Sequence, residues 1–360
     1  MVNNMICQDK SSSSSIVSDI NNLTKDQLSK HLTQMGIERF RSNQIFKWIY
    51  IHQADTFDAM TDLGKELRER LGSHFSISRL YLKEVLTSKD GTRKYLFGLR
   101  DKTFIESVLI PERDHSTLCI SSQVGCAQGC RFCLTARGGF IRNLTAGEIV
   151  SQVRDVLKHA TPEIKLTNIV FMGMGEPMAN YKNVTNAIHV LTDSDFGLKF
   201  SNRKVTVSTA GMVPKIDELG RSTRVNLAVS LNATDNETRS RLMPINRKYP
   251  IEQLLEACRR FPLPPTRRIT FEYILIQGVN DSDEDARRLV KLLRPIRAKV
   301  NLIAFNEFEG SDFKRPDDAS IRRFQEILYE KNLTAVIRKS KGRDICAACG
   351  QLCANALSSS

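Results

Sequence analysis

The chain has 360 residues, with 53 lysines and arginines against 40 aspartates and glutamates, and a formal net charge of +13. This length suits one large domain or one large and one small domain, and the 41% hydrophobic content is typical of a soluble globular protein. No stretch approaches the roughly 18 uncharged apolar residues of a membrane span, and the first residues lack the apolar core of a secretory signal. We therefore expect a cytoplasmic protein whose positive charge favours a polyanionic partner.

The sequence of residues 1–111 predicts three regions that differ in structure. Residues 1–21 contain a serine run and are predicted to be a disordered N-terminus. Residues 22–75 show helical periodicity, with Thr24 and Gln27 spaced as a capping box, and predict a small helical domain. Residues 76–111 alternate apolar and polar side chains around an Asp-Gly turn, which predicts a β-extension that links this domain to the rest.

Six short apolar runs follow, separated by helical patterns. They are TLCISSQ (117–123), TNIVFMG (167–173), KVTVST (204–209), VNLAVSL (225–231), ITFEYILI (269–276) and KVNLIAF (299–305), and a seventh run, LTAVIRK, ends at 339. Alternating strands and helices predict an α/β fold with parallel strands and right-handed crossovers over residues 112–340. A doubly wound sheet and a full or partial (βα) barrel both fit, but no glycine-rich dinucleotide fingerprint follows the first run.

Unusual polar sequences stand just after the ends of these predicted strands. They are the cysteine triplet after the first, GMGEP (173–177) after the second, STAG (208–211) after the third, SLNA (230–233) after the fourth and Asn306 after the sixth. The carboxyl ends of parallel barrel strands meet on one face, where ligand sites are built. The sequence therefore predicts that these segments converge on one pocket.

The cysteine triplet, Cys126, Cys130 and Cys133, has the spacing CxxxCxxC. Three thiolates suit a four-iron, four-sulfur cluster in which one iron keeps an open position for a small molecule. A zinc site that takes a fourth ligand from elsewhere is the alternative. Three more cysteines, Cys346, Cys349 and Cys353, lie in the C-terminal tail, residues 341–360, and their spacing leaves a second metal site or a structural core open.

The CxxxCxxC segment resembles the signature of radical S-adenosylmethionine (SAM) enzymes. That resemblance implies that the three cysteines ligate the cluster and that its open iron binds SAM, which is cleaved to a 5′-deoxyadenosyl radical. It also implies that the polar residues at the strand ends contact the cofactor. These residues are Gly175, Glu176, Ser208, Ser230, Leu231, Asn232 and Asn306.

A wider set of motifs resembles the RlmN family from about residue 22 to 357. They are ESVLIPE, TLCISSQVGC, GCRFC, VFMGMGEP, VSTAG, LAVSLNA, MPIN, NLIAFN and ACGQL. The resemblance implies a partial (βα)6 TIM-like radical SAM barrel over 112–340, with 22–75 as an RNA-binding accessory domain. It implies methylation of C2 of adenosine 2503 in 23S ribosomal RNA and of adenosine 37 in transfer RNA.

The family mechanism assigns roles to further residues. Cys349, picked out by ACGQL, takes a methyl group from one SAM, and a second SAM yields the radical that removes hydrogen from this S-methyl group. The carbon radical then attacks C2, which joins protein to RNA until Cys119 releases the product by forming a disulfide with Cys349. Glu106 matches the proposed proton acceptor. An electron donor such as flavodoxin and a monomeric enzyme are expected.

Three other functions remain alternatives at this stage. A sister activity of the Cfr type methylates C8 of adenine with the same cysteines and cofactor. A non-catalytic metal-containing RNA-binding protein would need no SAM. A radical activase that modifies another protein would have no use for the pair of Cys119 and Cys349.

Overall fold

The computed structural model describes residues 17–161 and 164–353. The strands are β1 Ser18–Asp19, β2 Phe75–Ser76, β3 Tyr81–Thr87, β4 Arg93–Gly98, β5 Phe104–Pro111, β6 Ser116–Cys119, β7 Gln123–Gly125, β8 Phe140–Asn143, β9 Leu166–Phe171, β10 Val205–Thr209, β11 Asn226–Ser230, β12 Ile269–Leu275, β13 Ala298–Ala304 and β14 Ala335–Arg338. The helices are α1 Lys25–Gln34, α2 Arg41–Phe46, α3 Lys65–His74, α4 Leu134–Arg137, α5 Ala146–His159, α6 Tyr181–Thr192, α7 Val213–Ser222, α8 Asn236–Leu242, α9 Ile251–Arg260, α10 Asp283–Leu293 and α11 Asp318–Glu330.

One ten-stranded sheet forms the centre of the molecule, in the order β14-β13-β12-β11-β10-β9-β6-β5-β4-β3. The strands from β6 to β14 in this order pair in parallel, whereas β3, β4, β5 and β6 pair antiparallel. The predicted partial barrel of six parallel strands is confirmed, and the seventh run adds β14 at the edge. The predicted β-extension is continuous with the barrel sheet, because β5 pairs directly with β6.

Alternation along the strands decides which side chains face the interior of this curved sheet, the barrel lumen. Successive side chains of a strand point to opposite faces. On β12, Phe271 and Tyr273 are fully buried under the surrounding helices, whereas Thr270, Glu272 and Ile274 line lumen cavities. Short polar side chains along the lumen therefore leave space for ligands inside an otherwise apolar protein.

Capping boxes start three helices that the sequence marks in the same way. The Thr24 side chain accepts from the Gln27 N–H, and the Gln27 side chain accepts from the Thr24 N–H. The same reciprocal pairs begin α5 at Thr145 and α10 at Ser282. Each pair satisfies backbone donors that a helix start leaves without partners, so the helices begin where local sequence predicts.

The N-terminal module, residues 17–79, packs against α5 of the barrel. Arg154 on α5 is fully buried and donates to Asn21 Oδ1 at 3.2 Å and to the Ala54 carbonyl at 3.0 Å. The prediction of disorder up to residue 21 is wrong for residues 18–21. Ser18–Asp19 pairs with β2, and Ile20 is fully buried, because tertiary contacts order this short segment. Residues 1–16, including Cys7, lie outside the described residues.

Across the part of the chain that the structure describes, no helix has the length and apolar character needed to cross a membrane.

Candidate active site

Most of the residues predicted as cluster ligands or cofactor contacts line one cavity of about 160 Å³ at the carboxyl ends of the parallel strands. We call it the cysteine cavity. The predicted residues that line it are Cys126, Cys130, Cys133, Gly175, Glu176, Ser208, Ser230 and Cys349. Phe132, Met243 and Ile274 add apolar walls, so the cavity combines sulfur ligands with a surface that limits access of water.

Glu176 joins two of the strand-end loops. Its Oε1 accepts from the Met178 backbone N–H at 3.0 Å, and its Oε2 accepts from the Ala210 N–H at 2.7 Å. Burial raises the pKa of this carboxyl group. Gly175 beside it has a φ of +98°, and an added Cβ would lie 2.5 Å from the Gln123 Cβ. The cavity rim therefore requires glycine at this position.

The C-terminal segment brings Cys349 to the cavity through contacts with two loops. The Leu134 N–H donates to the Gly350 carbonyl at 2.7 Å, and the Thr135 hydroxyl donates to the Leu352 carbonyl at 2.6 Å. Asn306, after β13, donates from Nδ2 to the Cys349 carbonyl at 3.1 Å. Cys349 is thus held between the loop that carries the cysteine triplet and the loop after β13.

A second cavity, of about 350 Å³, lies along the barrel lumen and also includes Cys349 in its wall. We call it the basic cavity. Cys119 lines it together with short polar side chains of the strands. Six cationic residues line the same cavity: Arg203, Lys204, Lys299, Arg338, Lys339 and Lys341. Cys349 and Glu272 therefore lie where the two cavities share a wall.

Cys119 and Cys349 are free thiols, and the charge of Cys349 affects the pKa of Cys119. Burial, followed by the charge of Glu272, raises the pKa of Cys349 to about 11. Burial, followed by the charge of the Cys349 thiolate, raises the pKa of Cys119 further. Cys349 lies inside the protein, and the accessible part of this residue lines the two cavities. Both groups are therefore neutral neighbours at neutral pH, and only a small fraction is thiolate.

Glu106 lies on β5, an interior strand of the ten-stranded sheet, and it is 1% exposed. Its carboxylate forms an ion pair with Lys94 Nζ at 3.0 Å and accepts from the Cys353 backbone N–H at 2.8 Å. Lys94 also donates to the Cys346 carbonyl at 3.4 Å. Glu106 is not among the residues that line either cavity, and its visible contacts fix the C-terminal segment to the β-extension.

Leu231 and Asn232, predicted as cofactor contacts, are buried and do not line the cysteine cavity. Asn232 has a φ of +57°, accepts from the Ile274 N–H at 2.8 Å through Oδ1, and directs Nδ2 to Met243 Sδ at 3.3 Å. Its side chain is therefore occupied in joining the loop after β11 to β12. Asn306 also lies outside the cavity lining, but its buried Oδ1 has no hydrogen-bond partner among the described residues.

The donor set fits an iron–sulfur cluster. The three cysteines of the triplet share the cysteine cavity, although no three His, Cys, Asp or Glu side chains within 17–161 and 164–353 form a group able to hold a metal ion. A cluster does not require such convergence, because its thiolates bind different irons. The unpartnered Asn306 Oδ1 offers an acceptor for a group bound nearby.

Comparisons with known proteins agree with this geometry. Residues 18–77 match the family model of the ribosomal RNA large subunit methyltransferase N-terminal domain, and residues 120–290 match that of the radical SAM superfamily. The chain is 58% identical to the dual-specificity RNA methyltransferase RlmN of Desulfosudis oleivorans, over 95% of this chain and 92% of that relative. The chain belongs to the RlmN family.

A second relative and a solved structure also resemble this RlmN-family chain. A protein of the same name from Geobacter sulfurreducens is 55% identical over 93% of this chain and 91% of its own length. The crystal structure of a radical SAM methyltransferase from Sphaerobacter thermophilus has a TM-score of 0.87 at 45% identity, over 94% of this chain and 99% of that chain.

Membership in the RlmN family makes the chain an enzyme, a radical SAM methyltransferase, which excludes the alternative of a non-catalytic metal-containing protein. The radical SAM superfamily implies a four-iron, four-sulfur cluster and SAM. The predictions of the family and of the fold are both confirmed.

Glu272 and Lys94 are residues of this RlmN-family site that sequence reasoning missed. Glu272 stands alone as a carboxylate in the apolar run ITFEYILI, and its alternation with Phe271 and Tyr273 could have placed it in the lumen. Lys94 carries no comparable signal, because its partners Glu106 and Cys346 come from distant parts of the sequence.

Proposed function

We propose that this enzyme methylates C2 of adenosine 2503 in 23S ribosomal RNA and of adenosine 37 in transfer RNA. One observation carries the proposal: Cys349 lies in the wall shared by a cavity with three cysteines and a cavity with six cations. A methyl carrier in this position is open to a cofactor on one side and to a polyanion on the other. Relatives named dual-specificity RNA methyltransferases support RNA as that polyanion.

The cofactors are assigned to the cysteine cavity. Cys126, Cys130 and Cys133 would hold one cluster, and Gly175, Glu176, Ser208 and Ser230 would contact SAM. When bound, cluster and SAM supply a carbon radical that can remove a hydrogen atom from a methyl group. The apolar walls around them exclude water, which protects such a reactive species. An external electron donor such as flavodoxin and two SAM molecules per turnover complete this proposal.

Cys349 performs the first covalent step. Its thiol loses a proton, and the thiolate displaces the methyl group of SAM, so that an S–C bond forms as the sulfonium S–C bond breaks. Since C2 of adenine is neither nucleophilic nor usefully acidic, direct displacement by the base would fail. Loss of one hydrogen atom from the methyl group would then allow the carbon on Cys349 to bond to C2. The unpaired electron that this bond leaves on the adenine ring would return to the bound cluster, which leaves a closed-shell adduct.

Cys119 then releases the RNA. Its thiolate attacks the Cys349 sulfur, the S–S bond forms, and the bond between that sulfur and the methylene carbon breaks. The electron pair stays on the carbon, which a proton converts to the methyl group, while the proton at C2 is lost to a base. Glu106, buried on the strand that pairs with the strand of Cys119, is the proposed final acceptor; since it lines neither cavity, the proton must reach it through an intervening group.

RNA is proposed to reach Cys349 through the basic cavity. The target adenosine must leave its stack, or be unpaired already, to enter a cavity of this size. The six cations would contact phosphates of the flanking nucleotides, and the N-terminal module would bind the folded part of the RNA. A monomer satisfies this arrangement, because all the assigned residues belong to one chain.

The phosphate contacts predict a specific salt dependence. A variant with both Lys339→Ala and Lys341→Ala should bind RNA more weakly at low salt, and the slope of log K against log salt should shrink by about 0.7–0.9 for each lost contact. Fluorescence anisotropy with a transfer RNA anticodon stem-loop measures this slope. Lys291→Ala, an exposed cation on α10, is the matched control and should leave the slope unchanged. An unaltered slope in the double variant would remove these lysines from the RNA site.

Mapping the product tests the proposed function directly. The anaerobically reconstituted enzyme is given SAM, a reductant and an unmodified 23S ribosomal RNA fragment or transfer RNA. Nucleoside mass spectrometry should find 2-methyladenosine, and nuclease protection should place it at position 2503 or 37. The appearance of 8-methyladenosine would assign the Cfr-type activity instead, and modification of a protein but not of RNA would assign an activase.

A further inference from the structure

Glu272 is a buried carboxyl group inside the barrel lumen that the mechanism above does not use. It lines both cavities together with Cys349 and is 8% exposed. Its Oε1 accepts from Asn301 Nδ2 at 2.9 Å, whereas no donor among the described residues contacts Oε2. A fixed carboxyl group with one available oxygen therefore lies at the wall where the methyl carrier meets the substrate cavity.

The surroundings of Glu272 bring its pKa close to neutral pH, so that its neutral and charged forms have similar populations there. Burial favours the neutral form, and the opposing effects of Asn301, Arg338 and Lys299 are smaller, so that its pKa rises to about 7. Glu176, the other carboxyl group of the two cavities, has both oxygens occupied by backbone N–H groups. Phosphates bound to the cations of the basic cavity would weaken the opposing effects and favour the neutral form of Glu272 further.

A neutral carboxyl group suits adenine rather than guanine. It presents a donor, O–H, beside an acceptor, C=O. The Watson–Crick edge of adenine presents an acceptor, N1, beside a donor, the N6 amino group. A carboxylate has only acceptors and would match the N1–H and N2 amino group of guanine instead. Because C2 is bonded to N1, a group that holds N1 also fixes the position of C2.

We propose that protonated Glu272 donates a hydrogen bond from Oε2 to N1 of the target adenine and accepts one from its N6 amino group. Asn301 keeps Oε1 in place, and the pairing selects adenine and directs its C2 toward Cys349. The proposal rests on the proposed function, since it takes adenine as the substrate base. It makes Glu272 a residue that determines specificity, with no part in the covalent steps.

Base analogues and pH test this assignment by binding alone. The holoenzyme, kept anaerobic, is titrated by fluorescence anisotropy with an anticodon stem-loop carrying adenosine, 1-deazaadenosine or guanosine at position 37. Adenosine should bind more tightly than 1-deazaadenosine, which lacks the N1 acceptor, by about tenfold at pH 6. Since binding requires the protonated form, affinity for adenosine should fall about tenfold from pH 6 to pH 8 as Glu272 loses its proton, and the analogue should show no such fall.

Two substitutions separate recognition from folding. Glu272→Gln retains a donor beside an acceptor and cannot ionise, so it should prefer adenosine over 1-deazaadenosine equally at pH 6 and pH 8. Glu272→Ala should lose the preference at both values. Glu326→Gln, an exposed residue on α11, is the matched control and should behave as wild type.

Several outcomes would overturn the assignment. Equal binding of adenosine and 1-deazaadenosine by the wild type would do so without any variant, even if the Glu272 variants failed to fold. A fall in affinity between pH 6 and pH 8 that persists in Glu272→Gln would assign the titration to another group. Product mapping on the wild type is separate: 2-methyladenosine with a failed analogue test rejects only the role of Glu272, whereas absence of any methyladenosine rejects the proposed function.

Discussion

Replacement of Cys119 by alanine is expected to trap the enzyme on its RNA substrate. Cys119 and Cys349 line the basic cavity together, and the charge of the Cys349 thiolate raises the pKa of Cys119. Without the Cys119 thiol, none of the described residues that line this cavity supplies a second thiol to attack the bond between the Cys349 sulfur and the RNA carbon. Release of methylated RNA should fall at least about a hundredfold, and a covalent protein–RNA complex should accumulate.

Denaturing electrophoresis and mass spectrometry of nuclease-digested complex measure the adduct, whose mass should locate to Cys349. Cys258→Ala is the matched control, because Cys258 is a buried thiol on α9 that lines neither cavity. It should release free methylated RNA as the wild type does. Free product at the wild-type rate from Cys119→Ala, with no adduct, would exclude Cys119 as the resolving residue.

The resolving step also depends on pH. Burial raises the pKa of Cys119 and that of Cys349, so below these values the thiolate fraction rises about tenfold for each pH unit. In the wild type, decay of any transient adduct should therefore accelerate between pH 7 and pH 9. The trapped adduct of Cys119→Ala should show no such acceleration.

Substitution of Cys349 by serine should abolish RNA methylation and leave cleavage of SAM intact. A serine hydroxyl is far less acidic than a thiol and accepts no methyl group from a sulfonium at neutral pH. The three cysteines of the triplet remain in place, so 5′-deoxyadenosine should still form when the protein is reduced. We expect methylation to fall by at least about a thousandfold, measured as methyl groups transferred to RNA per enzyme.

Cys346→Ser is the matched control for this result. Cys346 lies three residues earlier, is exposed and lines neither cavity. It should retain methylation and carry no S-methyl group in peptide mass spectra. Loss of methylation in Cys346→Ser with retention in Cys349→Ser would move the methyl carrier to the earlier residue.

The sequence predicts the parallel barrel and the convergence of its strand-end segments because both follow from local patterns. Alternating runs and capping boxes, such as those at Thr145 and Ser282, involve residues that are close in sequence. Parallel strands of a barrel bring their carboxyl ends to the same face. The cysteine triplet, Gly175 and Ser230 line one cavity for that reason.

Other features depend on contacts between distant parts of the chain and leave no local pattern. Glu106 holds the Cys353 N–H across 247 positions of sequence, and Thr135 holds the Leu352 carbonyl across 217. The buried side chain of Asn232 forms hydrogen bonds with the Ile274 N–H and with Met243 Sδ. These contacts arise only when the chain is folded, so the local sequence does not predict them. Ile20 is ordered by burial although its sequence neighbours suggest disorder.

The buried Arg154 contact between α5 and the N-terminal module has a consequence for how two unrelated nucleic acids could be handled. Since Arg154 on the barrel forms hydrogen bonds with Asn21 and Ala54 of this module, the fold fixes the distance from the module to Cys349. For the proposed RNAs, we expect a substrate to be accepted when its folded shape contacts the N-terminal module and places an adenosine at Cys349. Matching by outline, with little reference to surrounding nucleotide identity, would let a ribosomal segment and an anticodon loop share one catalyst.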